Sequence, residues 1–394
     1  MKILVVCQYY YPEPFRVPDI CEELVKRGHQ VTVVTGTPNY PMGEIYKGYE
    51  HGKKKHEVIN GVKVHRCFTI GRKGGSVKRF LNYYSYAISS SLHTLFMKEK
   101  FDVVFVNQLS PVMMAYAGIV YQKIHHKKLV MYCLDLWPAS LCAGGIKKGS
   151  FVYKVFHKIS AKIYRKADSI LITSNMFKDY LHDEIRISKK KIQYLPQYAE
   201  QIFEPAKCAK TPNEWTDLMF AGNIGKVQNV EVILKAAKML KDKKVRFHIV
   251  GDGTDVDRLK VIKDKHNLNN VIFHGRQPLE KMPEYYSIAD AMIVTMEDDP
   301  ILSLTLPGKV QTYMAAGKPI IGSINGETAK VIKAAHCGYC GQANDVTALA
   351  DCINHFLIMN DKTKLSHSSR EFYESHFTRE IFMNTLEKEM KRFI

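Results

Sequence analysis

At 394 residues, with 46% apolar and 24% charged residues, the chain is long enough for two ordinary domains and too apolar to be a disordered segment. Its net charge of +18 is uneven: residues 1–200 hold 31 Lys+Arg against 15 Asp+Glu, leaving 26 against 24 in the remainder. The first half therefore faces an anionic partner, whether nucleic acid, an anionic membrane surface or a phosphate-bearing acceptor.

Short β-branched runs alternate with helical patterns, which predicts parallel sheets built from βαβ units. In the first half, strands are expected at 3–8, 30–35, 62–68, 102–107, 128–134, 169–173 and 192–195. Helices are expected between them at 19–27, 77–97, 112–124, 151–165 and 176–181. Gly28 follows Lys26-Arg27, a helix stop with cations in the last turn. Residues 201–215, with two prolines and no periodicity, read as a linker. Strands at 218–221, 246–250, 271–273, 291–295 and 319–323 then alternate with helices at 230–240, 255–265, 279–288, 309–316, 328–335 and 346–358. A last amphipathic helix, about 379–393, can cross back to the first domain. No apolar run reaches the ~18 residues of a membrane span. The N-terminus reads as a strand, not a signal peptide, so a cytoplasmic protein is expected. Nine cysteines without framework spacing fit a reducing compartment.

Gly222-Asn223-Ile224-Gly225-Lys226, after the first strand of the second half, reads as a glycine turn whose N–H groups can meet a phosphate. It is not a P-loop, and no G-x-G-x-x-G follows the first strand, so a dinucleotide dehydrogenase is poorly supported. Pro307-Gly308-Lys309 opens a helix with free N–H groups, and a lysine in a first turn is disfavoured unless an anion neutralises it. Asp135-Leu136-Trp137-Pro138 follows a buried-looking strand. Asp135 is placed to orient or deprotonate an acceptor hydroxyl, with capping of the next segment as the alternative. Glu13, Phe15, Arg16 and Asp19 follow the first strand, where Arg16 can clamp a phosphate or a sugar. Cys337-Gly338-Tyr339-Cys340 lacks the partners of a zinc site, and Asp255-Val256-Asp257 opens a helix where acidic residues are favoured anyway, so no metal is expected. Basic helices at 77–100 and 151–166 mix lysines with aromatic and aliphatic residues, as membrane-surface helices do; in the second, Val155, Ile159 and Ile163 are expected on one apolar face.

Tyr11-Pro12-Glu13-Pro14-Phe15-Arg16, Thr37-Pro38-Asn39-Tyr40-Pro41, Ile45-Tyr46-Lys47-Gly48-Tyr49, Asp135-Leu136-Trp137-Pro138, Gly222-Asn223-Ile224-Gly225 and Pro307-Gly308-Lys309 occur in the same order in bacterial family 4 glycosyltransferases. The chain resembles that family along its whole length, within it the O-antigen and capsule branch that includes N-acetylfucosamine transferases. The resemblance implies an α/β GT-B fold of two Rossmann-like domains: an acceptor domain over 1–202 joined by about 377–394, and a nucleotide-sugar domain over 203–376. It implies retention of configuration without a cofactor or metal. The nucleobase would lie by His274-Gly275-Arg276, the diphosphate by Gly222, Asn223, Ile224, Gly225, Pro307, Gly308 and Lys309. Lys309, Asp135 and Arg16 are the expected catalytic groups; Glu13, Phe15, Asp19, Asn39, Tyr40 and Trp137 would serve the sugar or acceptor. Leu304 and Thr312 stand where many members carry a pair of glutamates, and Asn223 and Gln228 where an arginine and a lysine are usual.

The expected reaction is transfer from a UDP-sugar, an N-acetylated aminosugar, to an undecaprenyl diphosphate-linked glycan at the inner membrane surface, by a cytoplasmic protein docked peripherally. The amides of the 222–225 turn, Gly308 and Lys309 would stabilise the departing diphosphate. A nucleotide-sugar epimerase of the same frame and a basic nucleic-acid-binding protein are the alternatives. The latter leaves the glycine turns unexplained and shows no recognition motif.

Overall fold

Two α/β units make up the chain in a computed structural model that describes residues 1–142 and 145–394. Unit 1 spans Met1–Leu195 and Met383–Ile394, and unit 2 spans Pro196–Phe382. The division thus lies earlier than 202/203 and, at the return, later than 376/377.

Unit 1 comprises β1 (Lys2–Val6), α1 (Val17–Lys26), β2 (Gln30–Gly36), β3 (His56–Ile59), β4 (Val62–Cys67), α2 (Ser76–Leu95), β5 (Val103–Gln108), α3 (Tyr116–His125), β6 (Lys128–Cys133), α4 (Phe151–Lys166), β7 (Ser169–Ile172), α5 (Met176–Asp183) and β8 (Ile192–Tyr194). Its eight-stranded sheet has the order β3-β4-β2-β1-β5-β6-β7-β8 and is parallel except where β3 pairs with β4. The central strands are apolar on both faces, as helix-covered parallel strands must be: Ile3–Val6 and Val103–Val106 are 0% exposed. Helix α1 ends as its composition predicts, with Lys26 in the last turn, Gly28 at φ +83° and the His29 N–H closing on Leu24 O. The chain order reverses between β1 and β5, so loops after β1, β5 and β6 share the carboxyl edge where ligands of open α/β sheets sit.

Unit 2 comprises β9 (Thr216–Ala221), α6 (Glu231–Met239), β10 (Val245–Val250), α7 (Val256–Lys265), β11 (Val271–Gly275), α8 (Met282–Ile288), β12 (Ala291–Thr295), α9 (Gly308–Ala315), β13 (Ile320–Ser323), α10 (Gly326–Ala334), β14 (Gly338–Gly341), α11 (Val346–Ile358) and α12 (Thr363–His376). Its six strands run in the order β11-β10-β9-β12-β13-β14, all parallel, with the reversal between β9 and β12. Apolar clusters cover both faces, one built on Met219, Tyr313 and Met314, the other on Phe220, Phe247 and Ile293. The amino end of β9 is anchored by Asp217, 0% exposed, which accepts from Arg246 Nε at 2.7 Å, Lys210 Nζ at 2.6 Å and Asn213 at 3.0 Å and pairs with His248 at 2.9 Å. Burial alone would raise its carboxyl, but these bonds outweigh it and hold the group well below the usual range.

The last helix, α13 (Arg379–Lys391), belongs to unit 1 from Met383 onward. Within that unit Glu387 pairs with Arg27 at 3.3 Å and His29 at 3.1 Å, and Arg27 donates to Asn384 at 2.6 Å.

Candidate active site

In unit 2 the carboxyl ends of β9, β10 and β11 turn on glycines that interlock. Gly222, Gly251 and Gly253 hold φ of +141°, +141° and +159°. A Cβ on Gly251 would collide with Gly222 O, one on Gly253 with the Ile224 backbone, and the Gly251 N–H donates to Gly275 O at 2.9 Å. The glycines are thus set by close approach of one turn to the next. They do not form an open amide cradle, which corrects the sequence expectation. The Gly222 N–H donates to Val250 O at 2.9 Å, Ile224 N–H to Asp252 O at 2.9 Å, and Gly225 N–H to Gln228 Oε1 at 3.1 Å. Only the Asn223 N–H has no acceptor among the described residues. The side chains of Asn223 and Gln228, standing where a cation pair is usual, bond each other at 3.0 Å.

The positive charge comes instead from α9. Pro307 caps it without a side-chain acceptor, so the N–H groups of Gly308 and Lys309 have no intrahelical partners. Lys309 as a residue is partly exposed, yet its Nζ is buried and, among the described residues, has no hydrogen-bond partner. The Nζ lies 3.8 Å from the Phe220 ring centroid and 2.9 Å from where a Cβ on Gly222 would be. Burial pushes this amine down to about 7. An unpaired ammonium inside a protein costs several kcal/mol, which a bound anion would offset. Tyr313 locks α9 to this turn: its hydroxyl accepts from Ala221 N at 3.1 Å and donates to Ala221 O at 3.0 Å. Arg276 is exposed just past Gly275, and His274 bonds His248 at 2.9 Å. Thr312 turns its hydroxyl to Gly308 O at 3.1 Å, while Leu304 ends a short 3-10 turn.

In unit 1 Asp135 follows β6. Its carboxylate accepts from the Ser110 hydroxyl, which in turn accepts from the Trp137 indole N–H at 2.6 Å. Burial raises the Asp135 carboxyl, against the lowering effect of that bond. Gln108 Nε2 donates to Asp135 O at 3.0 Å and Tyr164 OH accepts from Trp137 N at 3.1 Å, so the loop is pinned from below. Trp137 itself is 4% exposed and packs edge-on against Phe156; it holds Asp135 in place rather than offering a face to a sugar, a correction to its expected role.

Glu13 is likewise internal, at 3% exposure. Its carboxylate accepts three backbone N–H groups, from Tyr10 at 3.2 Å, Asn39 at 2.8 Å and Tyr40 at 2.7 Å, and thereby fixes the loop after β2. Asn39, 1% exposed, is spent on Thr37 O at 2.8 Å and Asn82 at 3.1 Å. Burial nonetheless raises Glu13 to about 7. Because that lies above the ordinary value of 4.5, this group's contribution to stability falls as pH rises from about 4.5 to 7. Glu13→Gln places an NH2 against one of those amides and is expected to cost about 1–3 kcal/mol and to flatten that pH dependence, read by thermal denaturation from pH 4 to 8.

On the same loops Phe15 stacks on Tyr9 with centroids 4.9 Å apart, and Tyr40 tilts against Phe15 at 4.9 Å with the Arg72 guanidinium 4.4 Å over its ring. Burial raises the nearby Tyr83 hydroxyl, with Arg79 and Arg72 opposing and Asp135 adding to the shift. Arg16 occupies the N-cap position of α1 without a side-chain cap hydrogen bond. Burial pushes the Tyr132 hydroxyl up, with Arg16 a smaller opposing influence, and Asp19 sits in the first turn of α1, where the helix dipole favours it. Ser110, Arg72, Tyr83 and Tyr313 were not anticipated from sequence. The position of Ser110 directly after β5, at the reversal of strand order, is the signal that could have found it.

Residues 16–197 match the family model described as Glycosyltransferase Family 4, and residues 206–372 the model described as Glycosyl transferases group 1. The chain is 27% identical over 266 residues to the probable glycosyltransferase WbjE of Pseudomonas aeruginosa, covering 64% of this chain and 66% of that protein. It is 23% identical over 337 residues to the putative colanic acid biosynthesis glycosyl transferase WcaI of Escherichia coli K12, covering 80% and 82%. Its fold matches the crystal structure of Anabaena HepE in complex with UDP-glucose at a TM-score of 0.71 and 13% identity, across 100% of both chains.

Proposed function

Because the chain belongs to the glycosyltransferases of GT-B architecture, with a family 4 domain followed by a group 1 domain, we propose that it moves a sugar from a UDP-sugar to a lipid-linked glycan in cell-surface polysaccharide biosynthesis. The observation that carries this reading is the buried Lys309 amine at the start of α9, without a hydrogen-bond partner among the described residues and set against the glycine turn after β9. The donor in this reading is a UDP-activated N-acetylated aminosugar, held by unit 2, and the acceptor an undecaprenyl diphosphate-linked glycan held by unit 1. The UDP-glucose complex of the similar Anabaena protein supports a UDP-sugar, and the name of WcaI supports a surface polysaccharide.

Transfer forms a bond from an acceptor oxygen to the sugar's anomeric carbon and breaks the bond from that carbon to the diphosphate. Negative charge accumulates on the departing phosphate, and Lys309 with the first N–H groups of α9 neutralises it more strongly there than in the bound donor. Asp135, held by Ser110 and Trp137, orients the acceptor hydroxyl, whose proton passes to the leaving phosphate on the same face. Retention of configuration then needs no second carboxylate, and the charge balance no metal.

Docking on the inner leaflet of the cytoplasmic membrane fits the surface of unit 1. On α4, Phe151 is 81% exposed, and Val155 lies outward beside Lys154 and Lys158 instead of facing inward with the buried Ile163, which corrects its expected place. Among the described residues no helix is long and apolar enough to cross a membrane. A donor panel incubated with membrane extract tests the function. UDP release that needs both an N-acetylated aminosugar donor and the extract is expected; conversion of donor without acceptor would point to the epimerase reading instead.

A further inference from the structure

Beside the loop that Glu13 fixes, unit 1 carries a cavity of about 520 Å³ lined among others by Thr37, Tyr49, Lys53, Lys55, Arg66 and Phe68. We infer that this cavity is a binding site for a sugar bearing an anionic group, a carboxylate or a phosphate.

Three features converge on that chemistry. The first is charge. Lys53, Lys55 and Arg66 line the cavity with His51, and the one carboxylate in the wall, Glu50, is turned onto the Gly48 N–H at 2.7 Å. Neither Lys53 nor Lys55 forms a close ion pair among the described residues, although Glu50 feels Lys53 through space, whereas the neighbouring Lys54 has Glu57 at 3.8 Å. The second is Arg66, which is 7% exposed. Its Nε pairs with Glu57 at 3.0 Å and one terminal nitrogen donates to Tyr11 O at 2.7 Å, but the other, Nη1, is buried with no hydrogen-bond partner among the described residues. A guanidinium presents its donors in a fixed fork suited to carboxylate or phosphate, so an empty prong beside a cavity marks a place for such an oxygen. The third is the remaining wall: Phe68, 68% exposed, offers an aromatic face, while the Thr37 and Thr69 hydroxyls beside it are both turned onto Cys67 O, at 3.1 and 3.2 Å. A cavity of this size, apolar with a few fixed polar groups, suits one sugar ring rather than a bare ion.

The cavity adjoins the 37–40 loop through Tyr46, whose N–H donates to Pro38 O at 3.0 Å and whose hydroxyl donates to Tyr40 O at 2.6 Å. Its assignment as part of the acceptor site rests on the transferase reading; its anion preference does not. The two sources of such a group are an acidic sugar of the glycan and a sugar phosphate close to the lipid carrier.

Calorimetric titration of the full chain with glucuronic acid and, separately, with glucose 1-phosphate tests this, glucose serving as the neutral control. The Lys309→Ala background keeps the donor pocket from contributing. At least one of the two acidic probes should bind about tenfold or more tightly than glucose, and weaken about tenfold in Lys53→Gln/Lys55→Gln, whose exposed positions do not threaten folding. Binding by glucuronic acid alone identifies a uronate, and by glucose 1-phosphate alone a phosphorylated sugar. Equal binding of acidic and neutral sugars, or acidic-probe binding untouched by the double substitution, overturns the inference. UDP binding to the wild-type chain, measured in parallel, is expected to be unchanged by Lys53→Gln/Lys55→Gln, so failure of the donor reading is visible separately.

Discussion

Replacing Lys309 by methionine should lower kcat/KM for sugar transfer by about 10³-fold while leaving the protein as thermally stable as before, or more so. The two halves of that result come from one fact. The Nζ is buried, faces the Phe220 ring and the backbone of Gly222, and has no partner among the described residues. Methionine fills much the same volume without charge, so the unliganded chain is relieved of a desolvated cation while the departing diphosphate loses its counter-charge. The pH dependence follows with a definite sign. Burial lowers the amine from 10.5 to about 7, so the free chain gains stability as pH rises from about 7 towards 10.5, where an unfolded lysine would still be charged. Binding of diphosphate needs the charged form and takes up a proton above pH 7, so affinity should fall as pH rises beyond that point. A Lys309→Met protein with ordinary turnover would remove this residue from the mechanism.

Asp135→Asn should reduce turnover by about 10²–10⁴-fold with UDP affinity unchanged. The carboxylate accepts from Ser110, which is itself fixed by the Trp137 indole, and the loop backbone is held by Gln108 and Tyr164. An asparagine fits the same space and retains one acceptor oxygen, so the loop should keep its shape while the charge that orients the acceptor hydroxyl is lost. Steady-state kinetics with a calorimetric UDP titration separates the two effects. A parallel loss of UDP affinity would make Asp135 a structural residue instead.

Much of the fold was legible because each central strand is a short apolar run closed by glycine or a polar turn, as in Lys2–Val6 and Thr216–Ala221. What escaped notice lacked that contrast. Strand β3, His56–Ile59, follows three lysines and leaves Val58 72% exposed, so no buried face repeats along it. Strand β14 is two glycines around Tyr339 and Cys340, and α12, Thr363–His376, carries Ser366, Ser368 and Ser369 in place of a clear apolar stripe. At the candidate site, sequence placed Lys309 in a first helical turn that wants an anion, but could not tell that its amine is buried. It also assigned the 222–225 amides to a ligand. Two of their actual acceptors, the backbone carbonyls of Val250 and Asp252, are brought in by tertiary contact, which no local pattern encodes; the third, the Gln228 side chain, is a local capping partner three residues after Gly225. Glu13 and Trp137 were expected at the sugar or acceptor; their burial makes them supports for their loops instead.

The central claim, that Lys309 is the counter-charge for a nucleoside diphosphate, is tested most directly by titrating uridine and UDP into the wild-type chain and Lys309→Met at pH 7. UDP should bind the wild type about 100-fold more tightly than uridine does, and Lys309→Met should erase most of that difference while leaving uridine unaffected. If UDP gains nothing over uridine in the wild type, or keeps its full advantage without the lysine, the diphosphate is not held there and the account is wrong.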